Sequence, residues 1–193
     1  MLRFRRTIIA AVIAAVASGA AMAEAQPKSA FDFTFTAIDG KPMPLAPLKG
    51  RVLLVVNVAS FCGFTPQYKA LEALQSKYEG KGFDVIGVPS NDFNQETEGE
   101  AEIKKFCEGM YGVTFPLTQK YAVTGDAAHP FYQWARNELG WLNAPKWNFH
   151  KYLVGRDGRL VTSFFSTTAP DSSGVMGAID AELAKSAPPT ATN

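Results

Sequence analysis

The run Arg51-Val52-Leu53-Leu54-Val55-Val56-Asn57-Val58 constrains the chain more than any other stretch. It is almost continuously apolar and rich in β-branched residues. A strand with one wet face alternates apolar and polar residues, whereas a strand buried on both faces reads like this one. Phe83-Asp84-Val85-Ile86-Gly87-Val88 has the same character. Between the two, Tyr68, Leu71, Leu74 and Tyr78 recur at helical spacing. Thr65-Pro66 marks the start of that helix, with Thr65 as its cap and Pro66 at the first position.

The remaining patterns fill in around this strand–helix–strand unit. Phe31-Asp32-Phe33-Thr34-Phe35 alternates as a strand does, and Asp39-Gly40 signals a hairpin turn. Residues 100–111 read as a helix with Ile103, Phe106 and Cys107 on one face, and residues 130–139 as another. Two short strands, 151–154 and 160–165, flank the hairpin signal Arg156-Asp157-Gly158, and residues 173–184 close the chain as a helix. The predicted class is α/β, with an N-terminal β-hairpin and a central mixed β-sheet flanked by helices on both faces. The thioredoxin-like architecture has this order.

The chain opens with Arg3, Arg5 and Arg6, an apolar stretch over 8–17, and Ala21-Met22-Ala23. That order predicts a secretory signal over residues 1–23, with Ala23-Glu24-Ala25 as a second cleavage frame. The apolar core is shorter than the ~20 residues of a membrane span. Arg5-Arg6 also raises a twin-arginine route, although its flanks match poorly. The reading is therefore an exported protein, periplasmic or secreted, with a linker over 24–30, a domain over 31–186 and a flexible tail over 187–193. Cleavage after Ala23 leaves 170 residues and moves the formal charge from +1 to −2. No basic stripe suggests nucleic acid, and no apolar run suggests a membrane span after cleavage.

The chain has two cysteines, Cys62 and Cys107. In an exported protein, one structural disulfide is the plainest reading. Cys62, however, lies between a buried strand and a helix start, where free N–H groups favour a thiolate. The segment Cys62-Gly63-Phe64-Thr65 places a threonine where a C-x-x-C dithiol exchanger has its second cysteine. His129 and His150 are the two histidines, read as ordinary surface or cap residues, and with two cysteines they show no metal-ligand spacing.

Asn57-Val58-Ala59-Ser60-Phe61-Cys62-Gly63-Phe64-Thr65 resembles the glutathione peroxidase family's NVAS-x-C-G-x-T signature. Lys146-Trp147-Asn148-Phe149 resembles its WNF signature, and Pro89 to Glu96 resembles its P-x-N-Q-F-G-G-Q-E segment. Residues 111–117 and His129-Pro130 fit as well. The resemblance implies a peroxidase whose catalytic set, carried over by motif, is Cys62, Gln95, Trp147 and Asn148. One residue separates Phe93 from Gln95 where the family usually has two. The alternative alignment offers Glu96, but a carboxylate beside a thiolate would raise the thiol pKa. Cys107 matches the position of the resolving cysteine in relatives that use two cysteines and a thioredoxin-type reductant. Ser90 stands where many relatives carry a cysteine.

The resemblance thus implies reduction of hydrogen peroxide or organic hydroperoxides with no cofactor and no metal, and a thioredoxin-like protein or glutathione as reductant. The short segment before Lys146 lacks the long assembly loop of tetrameric relatives, which predicts a monomer. A peroxide sensor that relays oxidation by disulfide exchange, and a protein with a static Cys62–Cys107 disulfide, are the alternatives.

Overall fold

The structure is a computed structural model and describes residues 29–97 and 99–187. The predicted signal over 1–23, most of the linker and residues 188–193 of the tail lie outside the described residues.

The predicted order of elements is the observed one. A hairpin of β1 (Thr34–Thr36) and β2 (Pro42–Pro44) precedes β3 (Val52–Val58), α1 (Gln67–Lys77), β4 (Phe83–Pro89), α2 (Glu100–Tyr111) and α3 (Pro130–Leu139). Then follow β5 (Lys151–Val154), β6 (Leu160–Phe164) and α4 (Ser173–Leu183). The main sheet has the order β4-β3-β5-β6, with β4 parallel to β3 and both β5 and β6 antiparallel to their neighbours. This is a mixed sheet in a thioredoxin-like fold.

All of β3 is buried, as its composition demands. Val52, Leu54, Val56 and Val58 face one core, shared with Leu71 and Leu74 of α1, Ile103 and Cys107 of α2 and Ile179 of α4. Leu53 and Val55 face the other core, shared with Phe131, Trp134 and Ala135 of α3. Each such side chain contributes roughly 1.5–3 kcal/mol on burial, so β3 is the anchor on which both layers rest. Its C-terminal end delivers the chain to Cys62.

Three local expectations need correction. Residues 31–35 do not form one alternating strand. Ser29 Oγ accepts the Phe31 N–H and Asp32 Oδ2 accepts the Ser29 N–H, which winds Ala30–Asp32 into a 3₁₀ turn. Phe31, Phe33 and Phe35 all enter the α3-side core, so the apolar alternation came from a turn feeding a short strand. Thr65 does not cap α1; Pro66 holds that position without a side-chain bond, and the Thr65 hydroxyl serves the preceding loop. Of the two histidines read as surface or cap residues, His129 is a cap and only His150 departs from that reading. His129 caps α3, its Nδ1 accepting the Phe131 N–H, and stacks on Phe35 with ring centres 4.0 Å apart. His150 is buried against Tyr152.

Candidate active site

Cys62 stands in the turn between β3 and α1 and is 7 % exposed. Its loop is held by one hydroxyl: Thr65 Oγ1 accepts the Cys62 N–H at 3.0 Å and donates to the Ala59 carbonyl at 3.0 Å. The Phe64 N–H donates to Cys62 Sγ at 3.4 Å. The thiolate is the nucleophilic form of a cysteine. Both Cys62 and Cys107 are free thiols.

The loop after β4 reaches the same place. Asn94 takes a left-handed conformation, with φ of 54°, and its N–H closes onto the Asn91 carbonyl at 2.9 Å. Asparagine tolerates that region better than most residues, so the shortened segment turns within four residues. Gln95 follows at once. Its backbone carbonyl accepts the Phe61 N–H at 2.9 Å, which ties it to the residue before Cys62. Its side-chain Oε1 accepts the Asn148 Nδ2 at 2.9 Å. Glu96 turns elsewhere: its Oε1 accepts the Ser60 N–H at 3.3 Å and the Thr97 N–H at 2.8 Å. Burial holds the Glu96 carboxyl above its ordinary value. Of the two candidates, Gln95 is the one that the fold brings to the Trp-Asn turn.

That turn precedes β5 and is fastened from β3. Asn57 Nδ2 donates to the Trp147 carbonyl at 3.2 Å, and the Asn57 carbonyl accepts the Phe149 N–H at 2.6 Å. Phe149 sits at φ of 63°, which costs a non-glycine residue energy. Lys151 Nζ donates to the Phe149 carbonyl at 2.7 Å and helps to hold it there. Asn148 is thereby buried beside Gln95, and Trp147 stays 41 % exposed with its ring 5.4 Å from that of Phe93. The fold gathers Gln95 and Asn148 into one hydrogen-bonded pair beside the Cys62 loop. Among the described residues, no side-chain amide bonds the sulfur itself. Asn57 and Thr65 are supporting residues that motif reading left without this role. Asn57 carried a signal, because it is the one polar residue in a wholly buried strand and must find partners.

Cys107 lies on α2, fully buried, with Tyr68 of α1 beside it. Burial pushes its thiol up to about 11. The two cysteine segments touch through the residues just before each cysteine, with the Phe61 and Phe106 rings 6.3 Å apart. Phe106 and Tyr111 of the helix pack against the same core from its edge. Gly99 begins the helix without a side-chain cap, Gly109 lies inside it, the Gly112 N–H closes it on the Cys107 and Glu108 carbonyls, and Ile103 and Cys107 are its buried residues. Among the described residues, no group of three or more His, Cys, Asp or Glu could hold a metal ion.

The glutathione peroxidase family model matches residues 30–136. A glutathione peroxidase-like peroxiredoxin of Schizosaccharomyces pombe is 50 % identical over 137 residues, covering 69 % of this chain and 86 % of that protein. A hydroperoxy fatty acid reductase of Synechocystis is 46 % identical over 150 residues, covering 73 % of this chain and 89 % of that protein. Among solved structures, the crystal structure of Trgpx in apo form superposes with a TM-score of 0.69 at 37 % identity, covering 84 % of this chain and 100 % of that one. The chain belongs to the glutathione peroxidase family and is a peroxidase.

Proposed function

We propose that the chain is a two-cysteine thiol peroxidase that reduces hydrogen peroxide or organic hydroperoxides. The Cys62 thiolate attacks one oxygen of the peroxide and the O–O bond breaks. Cys62 becomes a sulfenic acid, and the other oxygen leaves with a proton as water or an alcohol. Gln95, Asn148 and Trp147 are proposed to donate to the oxygens as charge develops on them. The Cys107 thiol then condenses with the sulfenic acid, forming an S–S bond and releasing water. An external dithiol of the thioredoxin-like kind, or two molecules of glutathione, reduces the disulfide and regenerates both thiols.

The observation that carries this reading is the Gln95–Asn148 pair, tied through the Phe61 N–H to the loop whose cysteine sulfur accepts an N–H. The names of the two relatives, a peroxiredoxin and a hydroperoxy fatty acid reductase, agree with hydroperoxide as substrate. The uncapped start of α2 and the glycine within it support the second step, because Cys107 must leave its buried place to reach Cys62.

The test is peroxide turnover by the purified mature protein with thioredoxin and with glutathione as donor. Cys62→Ser is expected to abolish turnover, and Cys107→Ser to abolish the thioredoxin-dependent part. Full turnover by Cys62→Ser would sink the reading. Stoichiometric oxidation of one partner without turnover would make the protein a sensor instead. We also propose that residues 1–23 direct export and that the mature protein is a monomer. The intact mass of the secreted or periplasmic form, and its sedimentation, check both.

A further inference from the structure

Disulfide formation requires the Cys107 thiol to give up a proton that it holds tightly. Burial pushes this thiol up to about 11, so at pH 7 on the order of one molecule in ten thousand would hold it as thiolate. The thiolate is the attacking form, and the step therefore needs a base close to Cys107. Two carboxylates act on the thiol, Glu96 and Glu108. Glu108 follows Cys107 on α2, is exposed, and has Lys104 Nζ 3.8 Å away. Glu96 is 7 % exposed and comes from the loop after β4.

The two oxygens of Glu96 are placed differently. Oε1 accepts the Ser60 N–H at 3.3 Å and the Thr97 N–H at 2.8 Å. Ser60 lies two residues before Cys62, so the carboxyl is fastened to the turn that carries the sulfenic acid and not to α2. Oε2 is shut away from solvent and has no hydrogen-bond partner. A buried carboxyl oxygen is ordinarily paired, and one left open is free to accept a proton. The Tyr68 hydroxyl is buried as well, with no nitrogen or oxygen partner. It lies beside the Cys107 thiol, and Glu96 acts on it too. Burial holds the Glu96 carboxyl above its ordinary value, which brings it nearer the range where a carboxyl both takes and returns a proton. Lys120 acts on Glu96 in the opposite direction, and its Nζ donates to the Thr97 carbonyl at 3.1 Å.

We propose that Glu96 carries the proton of the disulfide step, an inference that rests on the two-cysteine reading. Its open oxygen takes the proton of the Cys107 thiol through the Tyr68 hydroxyl. The Cys107 sulfur attacks the Cys62 sulfur, the S–S bond forms and the S–O bond of the sulfenic acid breaks. The carboxylic acid returns the proton to the departing hydroxide, which leaves as water. Glu96 ends as the carboxylate that it began as, and no further reactant is consumed.

Rapid mixing of the reduced mature chain with hydrogen peroxide separates oxidation of Cys62 from disulfide formation, with both followed by mass spectrometry of quenched samples. Glu96→Gln keeps an acceptor for the Ser60 and Thr97 N–H groups but cannot carry the proton. It is expected to slow disulfide formation on the order of a hundredfold and to leave Cys62 oxidation within about twofold of wild type. Tyr68→Phe is expected to slow the same step by less. An unchanged melting temperature establishes that each variant is folded. A measurement on the wild type needs no variant: disulfide formation is expected to run slower in heavy water. The proposal is overturned by disulfide formation in Glu96→Gln at the wild-type rate or faster, by equal slowing of both steps, or by no solvent isotope effect on the second. A wild-type chain that oxidises at Cys62 and never forms the Cys62–Cys107 disulfide overturns the two-cysteine reading itself, and this inference with it.

Discussion

At the scale of single residues, Asn57 has the most to say about how the site is assembled. Its side-chain amide holds the Trp147 carbonyl and its backbone carbonyl holds the Phe149 N–H. Asn57→Ala removes the first bond and leaves a carbonyl to find water. The expected result is a loss of about 1–3 kcal/mol of stability. Turnover is expected to fall on the order of tenfold to a hundredfold, because the Trp147–Asn148 turn is displaced from its place. Alkylation of Cys62 should keep its rate, since Asn57 makes no bond to the cysteine loop. An alkylation rate that fell with turnover would assign Asn57 to the thiol instead. Ordered motifs in the sequence singled out Gln95 and Asn148, which the fold brings into one hydrogen-bonded pair. The motifs did not make the supports legible: Thr65 was read as a helix cap because Thr-Pro is a helix-start signal, whereas its hydroxyl bridges Cys62 and Ala59. Local patterns cannot distinguish these uses of one hydroxyl, because the competing acceptor lies six residues back in the chain.

At the scale of elements, α2 is the part whose stability governs the proposed disulfide step. Gly109 lies within this helix with ordinary backbone geometry, and a Cβ there would meet nothing within 4 Å. Gly109→Ala should therefore stabilise the helix by about 1 kcal/mol. Opening of the helix should then be about fivefold less frequent. Rapid-mixing measurements are expected to show disulfide formation slowed by that factor while oxidation of Cys62 keeps its rate. Unchanged disulfide formation would show that Cys107 reaches Cys62 without unwinding α2. Helix periodicity located this element well, because Ile103 and Cys107 recur on one face. Residues 31–35 show the opposite case. Their alternation matched a strand, but the Ser29 and Asp32 capping pair favours a turn, and short-range hydrogen bonds prevailed over an apolar pattern only five residues long.

At the scale of the whole molecule, two buried bases set how stability responds to pH. Burial pushes His150 down to about 4, from 6.5. It likewise pushes Lys151 down to about 7, from 10.5. In both cases the unfolded chain holds a proton that the folded chain has released. Stability therefore falls as pH drops from about 6.5 toward 4, and it climbs as pH rises from about 7 toward 9. Above about 9 the buried Cys107 thiol opposes the trend, because its proton stays on in the folded state up to about 11. Each slope is at most about 1.4 kcal/mol per pH unit. Urea midpoints measured between pH 7 and 9 should rise in the wild type and flatten in Lys151→Met. A wild-type profile that is flat or falling over this range would contradict a buried Lys151. Neither residue announced its burial, because lysine and histidine in a short segment read as surface until the pairing of β5 with β3 places them inside.

The β3–β5 pairing has a temporal side as well. Cys62 and the strand before it emerge early from a chain made N-terminus first, whereas Trp147 and Asn148 come 85 or more residues later. Until β5 docks along β3, Asn57 has no turn to hold and Gln95 has no amide to meet. On the roles proposed for Gln95, Trp147 and Asn148, a partly synthesised or partly folded chain would carry an ordinary cysteine rather than a peroxide-consuming one. On that proposal, peroxide reactivity in this protein certifies completed folding, because it requires the two ends of the domain to have met.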